Sequence, residues 1–405
     1  MKVLFLTSEF PPYAGGAGEY VYQVSANLCR DCSFDVKVLA STNHFDPDEV
    51  GKFDGLFPGK MIRYADLPLR RVKALYYPLT ALYRFFKSLL VYLLDKPDVV
   101  VACDDSSAKI VFLMHRLLGF RYVVITHGSE FLKESSFYFR SLESAEFLTF
   151  HSLLSKSFLD KARPLLDVDY AVINAGADEK IYNIEDPVIF EQAARLRAKL
   201  GIHEQAKVIL TVGTVSDRKG QDLVIKALSD LVAQGRTDLV YVAVGRFRDP
   251  SFADLPRQFG VEDYVIFLDF VEREDLPALY ALADIYVQPS RLSLKLKSIE
   301  GFSISTCEAM LLGKPAIVTD SVGIQSVLRE LEIGLVAKSD DPEDLRNKIT
   351  LLADDPIFRQ NMGAKSAHVA RSQLTWATTT REIARVLTQV SPHKSHKLHK
   401  PEATS

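Results

Sequence analysis

Short runs of apolar and β-branched residues recur along the chain, with longer mixed segments between them. Runs at 2–7 (KVLFLT), 35–40 (DVKVLA), 98–102 (DVVVA), 121–126 (RYVVIT), 146–150 (EFLTF) and 169–173 (DYAVI) read as buried strands. A second series stands at 207–212 (KVILTV), 239–244 (LVYVAV), 264–268 (YVIFL), 284–288 (DIYVQ) and 315–319 (PAIVT). Nearly continuous apolar strands separated by helical stretches predict parallel sheets covered on both faces. The polar stretch 177–192 interrupts the pattern between the two series. The expectation is therefore α/β: two doubly wound, Rossmann-like domains at 1–178 and 195–375, joined by a linker at 179–194. Residues 376–390 read as a final helix that could pack back on the first domain. Residues 391–405 read as a disordered tail, whose three histidines are solvated. In doubly wound sheets ligands sit at the carboxyl ends of the strands, which places a site in the crevice between the domains.

Composition narrows this picture by exclusion. A length of 405 residues suits two domains, and 47% hydrophobic with 25% charged residues is that of a globular protein. A net charge of −3 argues against a nucleic-acid partner. The opening residues read as a first strand and not as a signal peptide, and no run approaches the roughly 20 apolar residues of a membrane span. Four cysteines cannot staple a chain of this size, so a reducing, cytoplasmic setting is expected. Cys29 and Cys32 form a CxxC without the second pair or histidine of a zinc site, and read as thiols at a helix end.

Polar groups then fall at the strand ends. The first strand runs into PPYAGGAG, where Gly15, Gly16 and Gly18 precede a helix expected near Glu19. Glycines there let the backbone approach a ligand, and a helix N-terminus offers N–H groups to an anion. The GGxG spacing and the position of Asp35 do not match a dinucleotide fingerprint. CDDSS (103–107) and His127-Gly128 each follow a strand of the first series. In the second domain Gly213 follows a strand, and Arg218, Lys219 and Gly220 precede an amphipathic helix. Lys219 can stabilise a phosphate there as a point charge. Glu300 and Glu308 flank Gly301 and the cap residues Ser303 and Ser305, so a helix should start near Ser303 with its N-terminus between the two carboxylates. Lysine and helix dipole for phosphates, with carboxylates that accept from hydroxyls, together describe a nucleotide sugar.

The motifs GGAG, HGSE (127–130), NAGAD (174–178), VGTVSDRKG (212–220) and EGFSISTCEAMLLGKPAIVTD (300–320) resemble, in order, those of retaining GT-B glycosyltransferases of family 4. The resemblance runs from about residue 2 to 390. It implies metal-independent transfer of a sugar from a nucleoside-diphosphate sugar to a hydroxyl acceptor, without a cofactor. It further implies that Glu308 binds the donor ribose and that Glu300 sits beside the transferred sugar. The Gly301, Phe302 and Ser303 amides, with Gly213, would meet sugar and diphosphate. Lys219 would neutralise the diphosphate, His127 would line the sugar from the other domain, and Gly15 and Gly16 would close over the phosphates. The family commonly has arginine after the glycine matching Gly213; this chain has Thr214, so half of a cationic clamp is missing unless Arg218 reaches in. Asp46-Pro47-Asp48 matches a metal motif of another glycosyltransferase fold, and reads as a chance match in a polar loop.

The acceptor is open. Residues 67–94 mix tyrosine, phenylalanine and leucine with Arg70, Arg71, Lys73, Arg84 and Lys87. The favoured reading is a core helix with basic ends; the other is an amphipathic surface in peripheral contact with the inner face of an anionic membrane or with a lipid-linked acceptor. A sugar phosphorylase, a nucleotide-sugar epimerase or a non-catalytic partner of an active transferase could share the architecture.

Overall fold

Each expected run forms a strand, and two further strands appear at Lys60–Tyr64 and Gly334–Ala337. The computed structural model describes residues 1–12, 15–42, 46–65, 73–133 and 135–391. The first half runs β1 Lys2–Thr7, α1 Gly16–Cys32, β2 Asp35–Ser41, α2 Pro47–Leu56, β3 Lys60–Tyr64, α3 Lys73–Asp95, β4 Val99–Ala102 and α4 Asp105–Leu118. It continues with β5 Tyr122–Thr126, α5 Ser136–Glu143, β6 Phe147–Phe150, α6 Leu153–Ala162 and β7 Tyr170–Val172. The second runs α7 Pro187–Lys199, β8 Lys207–Val212, α8 Gln221–Ala233, β9 Leu239–Val244, α9 Leu255–Gln258, β10 Val265–Leu268, α10 Leu276–Leu282 and β11 Ile285–Gln288. It closes with α11 Ile304–Leu311, β12 Ala316–Thr319, α12 Gln325–Glu330, β13 Gly334–Ala337, α13 Pro342–Asp354, α14 Pro356–Gln373 and α15 Trp376–Val390.

The strands make two parallel sheets, ordered β3-β2-β1-β4-β5-β6-β7 and β10-β9-β8-β11-β12-β13. Both faces are covered, as runs without alternation require. Along β1, Val3 and Phe5 enter the core shared with α1, whereas Leu4 and Leu6 enter the core on the opposite face. Strand order reverses between β1 and β4 in the first sheet and between β8 and β11 in the second. Crevices open at such switch points.

Several details bear on these expectations. Helix α7 begins inside the stretch read as linker, because Asp186 caps it (its side chain accepts from the Val188 N–H) and Pro187 takes the first turn, where no donor is lost. It packs on α10 of the second half. Asp46-Pro47-Asp48 is a helix start and not a loop: Asp46 accepts from the Asp48 N–H as the cap of α2. Helix α15 lies against α1, with the Trp376 and Tyr20 rings 5.8 Å apart and the Thr379 hydroxyl donating to the Asn174 carbonyl at 2.8 Å. Arg70 and Arg71 lie outside the described residues, as does the tail from 392.

The favoured reading of α3 as a core helix holds on one side, where Val91 enters the core and Phe85 and Tyr92 pack against it. Thr80, Ser88 and Val91 are its buried positions, whereas Leu82, Phe86, Leu90 and Leu94 are exposed. A helix with apolar residues on more than one side can meet the core with one and leave another in solvent. Among the described residues no helix is long and apolar enough to cross a membrane.

Candidate active site

The carboxyl ends of β8 and β11 gather charge. After β8 the chain turns through Gly213 and then through a short helical turn, Asp217–Lys219. Gly220 ends that turn at φ +75°, and a Cβ there would lie 2.0 Å from the Pro289 carbonyl oxygen, so only glycine lets the turn reach the β11 end. Lys219 Nζ and Arg218 Nη1 each lie 2.7 Å from the same oxygen, Glu300 Oε2. The Ser290 hydroxyl donates to that oxygen at 3.3 Å. Burial would raise the Glu300 carboxyl, but Lys219 and Arg218 overcome it and hold it down at about 2. Burial lowers Lys219 from its ordinary value, only partly offset by Glu300 and reinforced by Arg218. The loop that follows β11 fixes Arg218 from behind. The Arg291 N–H donates to the Arg218 carbonyl at 2.9 Å, and the Arg291 guanidinium meets Asp217, Asp222 and Asp340.

Helix α11 starts where the serines predict. The Ser303 hydroxyl accepts from the Thr306 N–H at 3.3 Å and from the Thr306 hydroxyl at 2.8 Å. Its N-terminus thus lies beside the Glu300 cluster. Glu308, on its second turn, accepts from the Tyr280 hydroxyl at 2.6 Å. Burial raises the Glu308 carboxyl and outweighs that bond. The two glutamates, eight positions apart, are pushed in opposite directions.

The first half meets this cluster mainly through backbone and neutral side chains. Helix α1 begins at Gly16 with Gly15 as its cap, earlier than the sequence suggests, and the ideal Cβ of Gly16 lies 3.9 Å from Ile304 Cδ1. The N-termini of α1 and α11 therefore approach one another across the cleft. His127 Nε2 lies 2.8 Å from the Cys103 carbonyl and donates to it, and Nδ1 lies 2.9 Å from His151 Nε2. Burial pushes His151 well below the ordinary imidazole range, and His127 adds to the shift. With both ring nitrogens engaged, His127 reaches the other half through its carbonyl. That oxygen packs on Gly301 so closely that a Cβ would lie 2.1 Å away. The Ser152 and Ser155 hydroxyls donate to the Gly301 carbonyl at 2.7 and 3.2 Å. The Ile299 N–H donates to the Ser129 hydroxyl at 3.2 Å, and Arg273 pairs with Glu19 of α1 at 2.8 Å.

Lys219, Glu300, Gly301, Ser303 and His127 are thus brought together, with Gly213 close enough that a Cβ would meet Lys219 Nζ at 3.4 Å. Phe302 is buried between Gly301 and the cap, and Glu308 stands a turn away. Thr214 is exposed, and Arg218 is the second cation. Residues missed from sequence include His151, which follows β6 as His127 follows β5 and carried the same signal. Ser152, Ser155 and Tyr280 carried none.

Comparison with known proteins is consistent with this geometry. Residues 192–369 match the family model of glycosyl transferases group 1. The chain is 24% identical over 398 residues to an uncharacterized glycosyltransferase, MJ1607, of Methanocaldococcus jannaschii, covering 95% of this chain and 97% of that one. It is 25% identical over 395 residues to a GDP-mannose-dependent alpha-(1-6)-phosphatidylinositol monomannoside mannosyltransferase of Mycolicibacterium smegmatis, covering 95% and 98%. Among solved structures, HepE of Anabaena in complex with UDP-glucose superposes with a TM-score of 0.76 at 20% identity, covering 96% of this chain and 100% of that one.

Proposed function

We propose that this chain, a group 1 glycosyltransferase of GT-B architecture, moves a hexose from a nucleoside-diphosphate sugar to a hydroxyl acceptor with retention and without a metal ion. The relatives' names carry two donors, GDP-mannose and UDP-glucose, so the proposal is confined to what these share. The observation that carries it is the pair of cations on one carboxylate oxygen beside a capped helix N-terminus. Two cations and one carboxylate leave a net charge of about +1, and the helix end adds roughly half a charge. A diphosphate satisfies that excess, and as Lys219 and Arg218 re-pair with it, Glu300 is released toward sugar hydroxyls. Arg218 then does what an arginine at position 214 would do.

The roles in this reading combine the geometry with what the family resemblance implies. Lys219, Arg218 and the amides of Gly301, Phe302 and Ser303 stabilise charge that grows on the leaving diphosphate. Glu308 accepts from the ribose hydroxyls, and Gly15 and Gly16 bring the N-terminus of α1 toward the same anion. In transfer, the acceptor oxygen bonds to the anomeric carbon on the face from which the diphosphate departs. The anomeric C–O bond breaks, and the acceptor proton passes to a diphosphate oxygen. If the acceptor is lipid-linked, the chain meets it at a membrane surface, and α3 is the described segment that would touch it.

The test is turnover of a panel of nucleotide sugars by the purified chain, read as transfer or slow hydrolysis, with ¹H NMR of the anomeric product. Hydrolysis that survives Lys219→Ala and Glu308→Ala undiminished sinks the assignment. An inverted product sinks the stereochemical part alone.

A further inference from the structure

Helix α3 packs on the core with one side and leaves a second apolar side outside the fold. Leu79, Leu82, Phe86, Leu90 and Leu93 follow one another at steps of three or four, which places them on one face. That face is in solvent: Leu82 is 51% exposed, Phe86 57% and the neighbouring Leu94 78%. The inward face holds Thr80, Ser88 and Val91, with half-buried Phe85 and Tyr92 packed on the core. Helix α1, by contrast, buries Tyr20, Val21, Val24 and Leu28. Helix α4 packs beside α3 and presents Leu113 and Leu117 to solvent as well. Apolar surface of this extent on a water-soluble face marks a contact with something else.

Charge identifies the occupant. From Tyr76 to Leu94 the helix carries no carboxylate. Asp95, at its end, is taken up by Lys37. Arg84 is turned inward over the Tyr64 ring, which leaves Lys87 on the helix, exposed Lys96 just beyond it and exposed Arg116 on α4. A second copy would set these cations against their own kind, whereas an anionic bilayer complements them. With no helix among the described residues able to span, the contact is one that lies in the headgroup region.

We propose that α3, with the exposed leucines of α4, docks on an anionic lipid bilayer and so brings the cleft to an acceptor carried in it. The docking stands independently of the donor chemistry; only the last clause rests on the glycosyl-transfer reading.

Co-sedimentation of the full chain with vesicles of phosphatidylcholine, alone or mixed with phosphatidylglycerol, tests it. The expected result is binding to the mixed vesicles that falls at least about tenfold at high salt, as screening requires. Leu82→Gln/Phe86→Gln/Leu90→Gln should lose about tenfold or more in binding while donor hydrolysis stays at the wild-type level, which also reports that the variant folds. Lys87→Glu/Arg116→Glu, which leaves the apolar face intact, should lose binding to the mixed vesicles alone. No binding to anionic vesicles, or binding unchanged in both variants, overturns the proposal. So does a dimer in sedimentation velocity that the leucine variant abolishes while vesicles are ignored, since the face then belongs to a second copy. Vesicle binding without turnover of any nucleotide sugar leaves the docking standing and removes the function proposed for the cleft.

Discussion

At the ends of β8 and β11 one carboxylate holds two cations, whereas at the ends of β5 and β6 two imidazoles hydrogen-bond to each other and the neighbouring hydroxyls bind backbone. The first arrangement keeps its charges in pairs that an incoming anion can exchange. The second has its donors committed within the protein, and what it offers across the cleft is mainly the His127 carbonyl and two serine hydroxyls, all directed at Gly301. One side of the cleft is built to trade partners and the other to hold position.

The sharpest way to break that contrast is Lys219→Ala against His151→Phe. Loss of the lysine should lower turnover of the donor by about 10²–10³-fold, the scale of removing one preorganised donor to a transition-state charge. His151→Phe should cost less than about tenfold in steady-state assays, and equal losses would mean that both sides handle charge. Next comes Gly301→Ala, whose Cβ has no room beside the His127 carbonyl. Turnover should drop about 10–100-fold through misplacement of the two halves. Small-angle scattering should report a larger radius for a chain whose circular dichroism is unchanged; an unchanged radius would remove Gly301 as the point of contact.

The two glutamates sharpen the comparison at smaller amplitude. Glu308 is raised by burial, so its charged form is disfavoured in the folded chain, and its contribution to stability improves as pH falls from neutral through its folded value. Glu308→Gln should therefore raise the melting temperature at neutral pH by about 2 °C and cost about tenfold in donor affinity, measured by calorimetry. A lowered melting temperature would mean that the Tyr280 bond outweighs burial. Glu300 has the opposite sign. Held near 2 when folded, it contributes stability that is present above the unfolded carboxyl value of about 4.5 and is lost as pH falls toward about 2. The melting-temperature difference between wild type and Glu300→Gln should shrink across that window; a constant difference would mean that the cations do not hold the carboxylate.

How much of this was legible depends on whether one segment carries its own reason. The buried strands did, because parallel strands need apolar residues on both faces. β3 did not: KMIRY puts Lys60 and Arg63 into a strand at the sheet edge, where charge is tolerated. β13 did not either, since GLVA is short and opens with glycine. The α11 start was legible from Ser303, and Lys219 and Glu300 from order and resemblance. Arg218 was readable only as an alternative, because its place depends on Arg291, which is 73 positions later and held by three aspartates. The Tyr280–Glu308 bond joins side chains 28 positions apart and left no pattern. For α3 the core contact was legible, and the apolar side it leaves in solvent was not.

The Gly301 carbonyl has a consequence beyond holding two halves together. It shares its peptide plane with the Phe302 N–H, which points the opposite way. When the Ser152 and Ser155 hydroxyls donate to that oxygen, they draw electron density along the amide and make the Phe302 N–H a stronger donor, by about 10–30% per added bond. Each hydroxyl that closes on one end of this amide thus raises its pull on an anion at the other. The peptide thus couples the contact between the two halves to the donor strength of the N–H at its other end.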